Sequence, residues 1–229
     1  MTGEDLRKAR KREGKTQCDV ARSLGLSQGY VALLESGARR IPAHLAKRFV
    51  KLFGLAPTAL PVEANPDCFA GRNAQTLAEE LAALGYPGFS YLRSRKQRNP
   101  AEVLVCALCQ KDLESRLAEA LPWVLLHYPE LDQRWLVEQA RVHNLQNRLG
   151  FVVALARELA QRKGRQDGRL QALAELEAVL EESRLAREDT FCQESLSEAE
   201  RRWLRGVRPP AAQRWNLLTD WMPEAVRYA

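Results

Sequence analysis

Apolar residues recur at intervals of three and four along most of the chain, the spacing that places side chains on one face of an α-helix. In the first sixty residues this pattern predicts four short helices, over 4–13, 17–24, 27–35 and from position 42 onward. Their candidate core residues are Leu6, Ala9, Val20, Ala21, Leu24, Val31, Leu34, Leu45, Phe49 and Leu52. Thr16 and Ser27 can cap the second and third helices, and Gly25 can adopt the left-handed conformation between them. The segment therefore predicts two helices joined by a tight turn.

Beyond this region the pattern stays helical. Three prolines within 55–68 indicate a connecting segment, and no stretch alternates as a strand would. Further helices are predicted over 73–84, 100–110, 112–126, 131–142, 145–161, 168–182 and 197–204. We expect an all-α protein with a helix-turn-helix domain of four to five helices over 1–58, a linker over 59–70, and a larger domain of stacked helical hairpins over 71–229.

The basic charge is confined to the first of these regions. Residues 1–60 contain 12 Lys and Arg against 5 Asp and Glu, whereas the rest of the chain has 23 against 24. An excess of this kind indicates a polyanionic partner for the N-terminal region, although charge alone fits a solvated basic face equally well.

Several classes of protein are disfavoured. No segment approaches the roughly 18 apolar residues of a membrane span, and the N-terminus lacks the apolar core of a signal peptide. We therefore expect a cytoplasmic protein with no membrane contact, whose five cysteines are reduced. No carboxylate pair, nucleophile triad or glycine-rich phosphate loop stands out. The expectation is a protein that is not an enzyme and that needs no cofactor.

Three features of the C-terminal region could carry chemistry, and each has a plainer interpretation. Cys106 and Cys109 form a C-x-x-C pair that could join Cys68 and a histidine in a zinc site. Their apolar surroundings favour buried thiols instead, so we expect no metal. The basic loop 91–99 could contact a nucleic-acid backbone or simply be solvated. The polar run 143–151 precedes an apolar helix and can form a corner where amides satisfy loop carbonyls.

Residues 6–55 resemble the DNA-binding domains of the phage-repressor and Cro type. The resemblance rests on Leu6, Arg10, Thr16-Gln17, Val20-Ala21, Leu24-Gly25, Ser27, Tyr30-Val31, Leu34-Glu35-Ser36-Gly37 and Leu52-Phe53-Gly54. It implies that the third helix enters the major groove of double-stranded DNA. It also implies an internal ion pair between Arg10 and Glu35 that ties the first helix to the third and reads no bases.

The predicted DNA contacts follow from this resemblance. They are Gln17, Ser27, Gln28, Gly29, Tyr30, Leu33, Ser36, Arg39 and Arg40. Gln28 can bond adenine bidentately, Leu33 can meet a thymine methyl group, and Gly29 permits close approach. Tyr30 fits either a DNA-backbone contact or half-buried packing. The outward face of this helix has no Arg or Lys, which favours a site weighted towards A and T.

The function of the larger region is left with two alternatives. Trp123, Leu136 and the run 148–151 are weakly similar to helical regions of antitoxins that pair with nucleotidyltransferase-like toxins, and this similarity transfers no site residue. In the first alternative the protein is a transcriptional repressor that binds an inverted-repeat operator as a homodimer. In the second it is an antitoxin or defence-operon component that neutralises a partner protein and autoregulates its operon.

Overall fold

The computed structural model describes residues 1–62, 73–94, 97–164 and 168–228. The chain divides into two compact units, Met1–Val62 and Glu63–Ala229. Secondary structure in the described residues is almost wholly helical, which confirms the all-α class with a helix-turn-helix unit at the N-terminus. The predicted linker 59–70 lies outside the described residues from position 63 onward.

The N-terminal unit is built from helices whose first turns are fixed by local side chains. It contains α1 (Gly3–Arg12), α2 (Gln17–Leu24), α3 (Gln28–Glu35), α4 (Ala43–Phe53) and a one-turn 3₁₀ helix (Pro57–Ala59). Thr2 and Thr16 each form a capping box, with Asp5 and Asp19 respectively, and the Ser27 hydroxyl accepts the Tyr30 N–H at 3.2 Å. These caps satisfy backbone donors that a helix start leaves free.

The apolar faces of these helices meet in one core. Its buried members are Leu6, Ala9, Val20, Ala21, Leu24, Val31, Leu34, Ile41, Leu45, Ala46, Phe49 and Phe53. The expectation for Leu52 was too strong, because Leu52 is only partly buried and Phe53 occupies the deep position, stacked on Phe49 with ring centroids 6.4 Å apart. Arg48 donates to the Leu24 carbonyl at 2.8 Å and so joins α4 to the end of α2.

The described ranges of the C-terminal unit contain eight further α-helices and two 3₁₀ helices, Pro87–Phe89 and Pro223–Ala225. The α-helices are α5 (Ala74–Ala83), α6 (Pro100–Leu108), α7 (Ser115–His127), α8 (Gln133–Val142), α9 (Gln146–Arg162), α10 (Gly168–Glu182), α11 (Glu198–Val207) and α12 (Pro210–Arg214). The expectation that no strand forms needs a small correction, because β1 (Asp189–Thr190) and β2 (Leu217–Leu218) pair in parallel. A strand of two residues is too short to show the alternation of apolar and polar side chains by which strands are predicted from sequence.

Helix α9 is the centre of the C-terminal unit. Twelve of its residues are buried, and it contacts α7, α8, α10 and α12. Gly150 lies at its closest contact, where a Cβ atom would fall 2.4 Å from the ring of the fully buried Trp215. The helix is buried on most of its circumference, including the polar residues of its first turn, as expected for a helix at the middle of such a unit.

Candidate nucleic-acid interface

Helices α2 and α3 are joined by the turn that the sequence predicts. Gly25 ends α2 with φ 63° and ψ 38°, and Ser27 begins α3 two residues later. Ala21 is buried among the core residues of the unit, where a small side chain lets two helices approach closely. Val31 and Leu34 anchor the inner face of α3 in the same core. The helix is thereby held with its first turn at the surface.

The outer face of α3 is exposed and uncharged. Ser27, Gln28 and Gly29 are exposed, and the Leu33 side chain has 46% of its surface accessible. The Gln28 side chain makes no hydrogen bond with the described residues, so its amide is available to an outside partner. The first turn holds no acidic side chain. Because a helix start carries a partial positive charge, an anion meets no repulsion there.

The side chains of Tyr30 and Arg39 pack against each other beside this face. The Tyr30 ring is half-buried against the core, which is the packing alternative considered for it. The Arg39 guanidinium lies 5.4 Å from the centre of that ring, in cation–π geometry. Arg40 and Ser36 are exposed, and the Ser36 hydroxyl donates to the Leu33 carbonyl at 3.1 Å. Two cations are therefore displayed just after α3.

Arg10 and Glu35 are brought together by the fold. Their side chains form a bidentate pair, with Arg10 Nε to Glu35 Oε1 at 2.6 Å and Nη2 to Oε2 at 3.0 Å. The exposed fractions of the two side chains are 12% and 3%. Burial raises the pKa of Glu35, but hydrogen bonds from Arg10 and Gln17 outweigh it and hold that pKa below its ordinary value. The pair joins α1 to the end of α3.

Gln17 has a different geometry from the one the sequence led us to expect. Its amide nitrogen donates to Glu35 Oε2 at 3.0 Å, so the side chain is part of the buried ion-pair network. Any contact from this residue to a phosphate would therefore use the backbone at the start of α2.

Three residues of structural importance were missed. Gly3 packs so tightly on the end of α3 that an added Cβ atom would fall 2.1 Å from the Leu34 carbonyl oxygen. Arg12 and Arg48 are exposed, and each also donates to a carbonyl of another helix, Arg12 to that of Phe53 at 3.1 Å and Arg48 to that of Leu24. A glycine at a helix start was the only local signal, because long-range carbonyl contacts leave no pattern in the sequence.

The C-x-x-C pair is built into the core of the C-terminal unit. Cys106 is fully buried, and burial raises the pKa of the partly buried Cys109 to about 11. Cys192, whose Sγ lies 3.6 Å from the Leu108 carbonyl oxygen, has its pKa raised to about 12 by burial. Cys68 lies outside the described residues. Within the described ranges, no three His, Cys, Asp or Glu side chains are grouped to hold a metal ion.

The basic loop 91–99 is described except at positions 95 and 96. Arg98 forms ion pairs with the buried carboxylates of Glu80 and Glu102, at 3.0 and 3.2 Å. Tyr91 is 64% exposed, and the Arg116 guanidinium lies 5.9 Å from its ring centre. The Arg98 guanidinium is therefore paired with two carboxylates of its own unit.

The polar run 143–151 forms a corner at the start of α9. Asn147 donates to the Leu185 carbonyl at 3.0 Å and accepts its N–H at 2.9 Å, so this amide satisfies loop backbone as the sequence suggested. Arg148 is buried, and it donates to the Leu108 carbonyl at 2.9 Å and to both carboxylate oxygens of Asp189 at 2.7 and 3.0 Å. This arginine holds β1 against the end of α6.

Comparison with known proteins identifies the N-terminal unit. Residues 3–61 match a family model described as a helix-turn-helix domain. No curated protein and no solved structure matches the chain. The match agrees with the geometry of α2, the Gly25 turn and α3, and it supports a helix-turn-helix DNA-binding regulator. Across the described residues, no helix is both long and apolar enough to cross a lipid bilayer.

Proposed function

We propose that the protein is a sequence-specific DNA-binding transcriptional regulator that reads duplex DNA with α3. The observation that carries this proposal is the exposed, uncharged outer face of α3, followed directly by the exposed cations Arg39 and Arg40. Base edges in the major groove are read by hydrogen-bonding and apolar groups, whereas phosphates are bound by cations. The outer face of α3 supplies the groups that read bases, and Arg39 and Arg40 supply the cations that bind phosphates.

Individual residues have separate roles in this proposal. The Gln28 amide, without a hydrogen bond in the described structure, reads one base pair, with adenine as its preferred partner. Leu33 lies on the exposed face of α3 and meets a neighbouring base pair. The exposed Ser27 hydroxyl accepts the Tyr30 N–H and can still donate its own proton to a base. Gly29 has no neighbour within 4 Å of its missing Cβ position, so the space beside it is open for the duplex. Arg39, supported by the Tyr30 ring, binds the sugar–phosphate backbone.

We further propose that the regulator is a repressor that acts as a homodimer on an inverted-repeat operator. One helix-turn-helix unit reads few base pairs, and two copies on half-sites one helical turn apart multiply the contacts. The C-terminal unit displays apolar side chains that a second copy can cover. Trp203 is 58% exposed and Val207, one turn further along α11, is 48% exposed. Tryptophan is enriched at the cores of protein interfaces.

The test separates base reading from backbone binding. Gln28→Ala should change the preference at one base pair of a measured binding-site profile, by about 1–3 kcal/mol. Arg39→Ala should weaken binding to all sequences and reduce its dependence on salt. The control Arg134→Ala removes an exposed cation of α8 in the other unit and should do neither. An unchanged profile for Gln28→Ala would show that α3 is not the reading helix.

Gly29→Ala extends the same experiment. The added methyl group meets nothing within 4 Å in the free protein, and alanine favours a helix over glycine by up to about 1 kcal/mol. The variant should therefore be at least as stable as the parent while binding DNA more weakly. Unchanged DNA affinity would show that the duplex does not approach this turn closely.

A further inference from the structure

The C-terminal unit contains a cavity of about 380 Å³ that the proposed function does not use. Its walls include three aromatic rings, two guanidinium groups and one carboxylate, from Tyr86, Trp221, Tyr228, Arg116, Arg227 and Glu119. A volume of this size is within the usual range for small-molecule sites. The side chains that line the walls therefore indicate which kind of ligand fits.

Tyr86 provides an unpartnered polar group at this cavity. The residue is only 2% exposed, and its ring makes edge-to-face contacts with Phe89, Trp123 and Tyr228 at centroid distances of 5.4 to 5.6 Å. Its hydroxyl makes no hydrogen bond with any described residue. The hydroxyl is not one of the fully enclosed side-chain atoms without a partner, so it is accessible from the cavity and can donate a hydrogen bond to a ligand there.

Two cationic side chains, Arg116 and Arg227, and one carboxylate, Glu119, line the cavity, so cations outnumber anions there. Helix α7, 13 residues long, begins at the wall with Ser115 and Arg116, and no side chain caps it. Its free N–H groups and partial positive charge attract anions. The Arg116 guanidinium is steadied by the Phe89 ring, 5.9 Å away. The Glu119 carboxylate accepts the Arg227 backbone N–H at 2.7 Å and keeps its negative charge. After burial, this charge is the largest cause that raises the pKa of Tyr86, whereas Arg116 and Arg227 act in the opposite direction.

We propose that this cavity binds a small organic anion that carries a planar ring. The carboxylate or phosphate of the ligand accepts hydrogen bonds from the Tyr86 hydroxyl and from the guanidinium groups of Arg116 and Arg227. The ring packs against Trp221 and Tyr228, where aromatic side chains provide flat apolar surface. This site is separate from the proposed DNA contacts on α3 and does not depend on them.

Titration calorimetry on the full chain, without DNA, tests the proposal with simple probes. Phenylacetate and phenyl phosphate carry both a ring and an anion, whereas acetate and inorganic phosphate lack the ring and benzyl alcohol lacks the charge. At least one ring-bearing anion should bind tenfold or more tightly than all three controls. The stronger of the two identifies the anion as carboxylate or phosphate. Equal binding of probes and controls, or no binding, would overturn the proposal.

Three variants locate the site. Tyr86→Phe keeps the packed ring and removes only the unpartnered hydroxyl, so the fold is preserved and affinity should fall about tenfold, as for the loss of a hydrogen bond to a charged group. Arg116→Gln should weaken binding similarly, while Glu119→Gln should strengthen it by removing a like charge. The control Arg134→Gln should have no effect. If neither Tyr86→Phe nor Arg116→Gln weakens binding, the probe binds elsewhere and the assignment of this cavity as the site is refuted.

Discussion

Removal of Arg10 should strongly destabilise the N-terminal unit. Arg10→Met keeps the aliphatic part of the side chain but leaves Glu35, 3% exposed, with only the Gln17 amide as partner. Breaking a buried pair by deleting one partner costs about 3–5 kcal/mol, because the remaining charge is desolvated without compensation. Glu35→Gln should cost less, since Arg10 is more exposed and also donates to the Lys15 carbonyl at 2.8 Å.

Replacing both residues provides the sharper measurement. Arg10→Met combined with Glu35→Leu leaves no buried charge, so the double variant should be more stable than Arg10→Met alone. The cost of Arg10→Met should also depend on pH. The pKa of Glu35 is held below its ordinary value, so the pair stabilises fully above that value and loses its contribution as pH falls through the lowered pKa. Parent and variant should therefore converge in stability in acid.

Hydrogen exchange of the full chain, followed by mass spectrometry, measures this unit by itself. Peptides from α1 and α3 should lose about a hundredfold or more of their protection in Arg10→Met, as 3 kcal/mol requires, while peptides from α9 keep theirs. A loss under tenfold, or a double variant less stable than Arg10→Met, would refute the argument. A stable Arg10→Met protein with altered base preference would instead place Arg10 in recognition.

Two further outcomes follow from the structure. The full-length protein should be a dimer by light scattering at micromolar concentration. Trp203→Ser should shift it towards the monomer, because the exposed ring contributes to the proposed interface. A parent protein that is monomeric both with and without DNA would contradict the proposed dimer. Gly150→Ala should lower the free energy of unfolding by about 1–3 kcal/mol, since the new methyl group falls 2.4 Å from the Trp215 ring; an equally stable variant would show that this contact can relax.

Local chemistry in the sequence was sufficient to predict the helix-turn-helix unit. The caps Thr16 and Ser27 and the left-handed turn at Gly25 act within a few residues, so their effect can be read without knowing the fold. The same holds for the apolar periodicity that fixes which face of α3 is buried and which is exposed. The exposure of its outer face was therefore predictable from the sequence, whereas the choice of Gln28 and Gly29 as DNA contacts came from the family resemblance and stays a prediction.

Contacts between distant segments were decided only by the tertiary structure. The amide of Gln17 turns to Glu35, Arg148 reaches Asp189 41 residues away, and β1 pairs with β2 across a connection that includes α11. The cavity is likewise assembled from segments near Tyr86, Arg116 and Trp221. Helical periodicity specifies which side of a helix is apolar, but a hydrogen bond depends on the distance and direction between two atoms. That geometry exists only once the helices have packed.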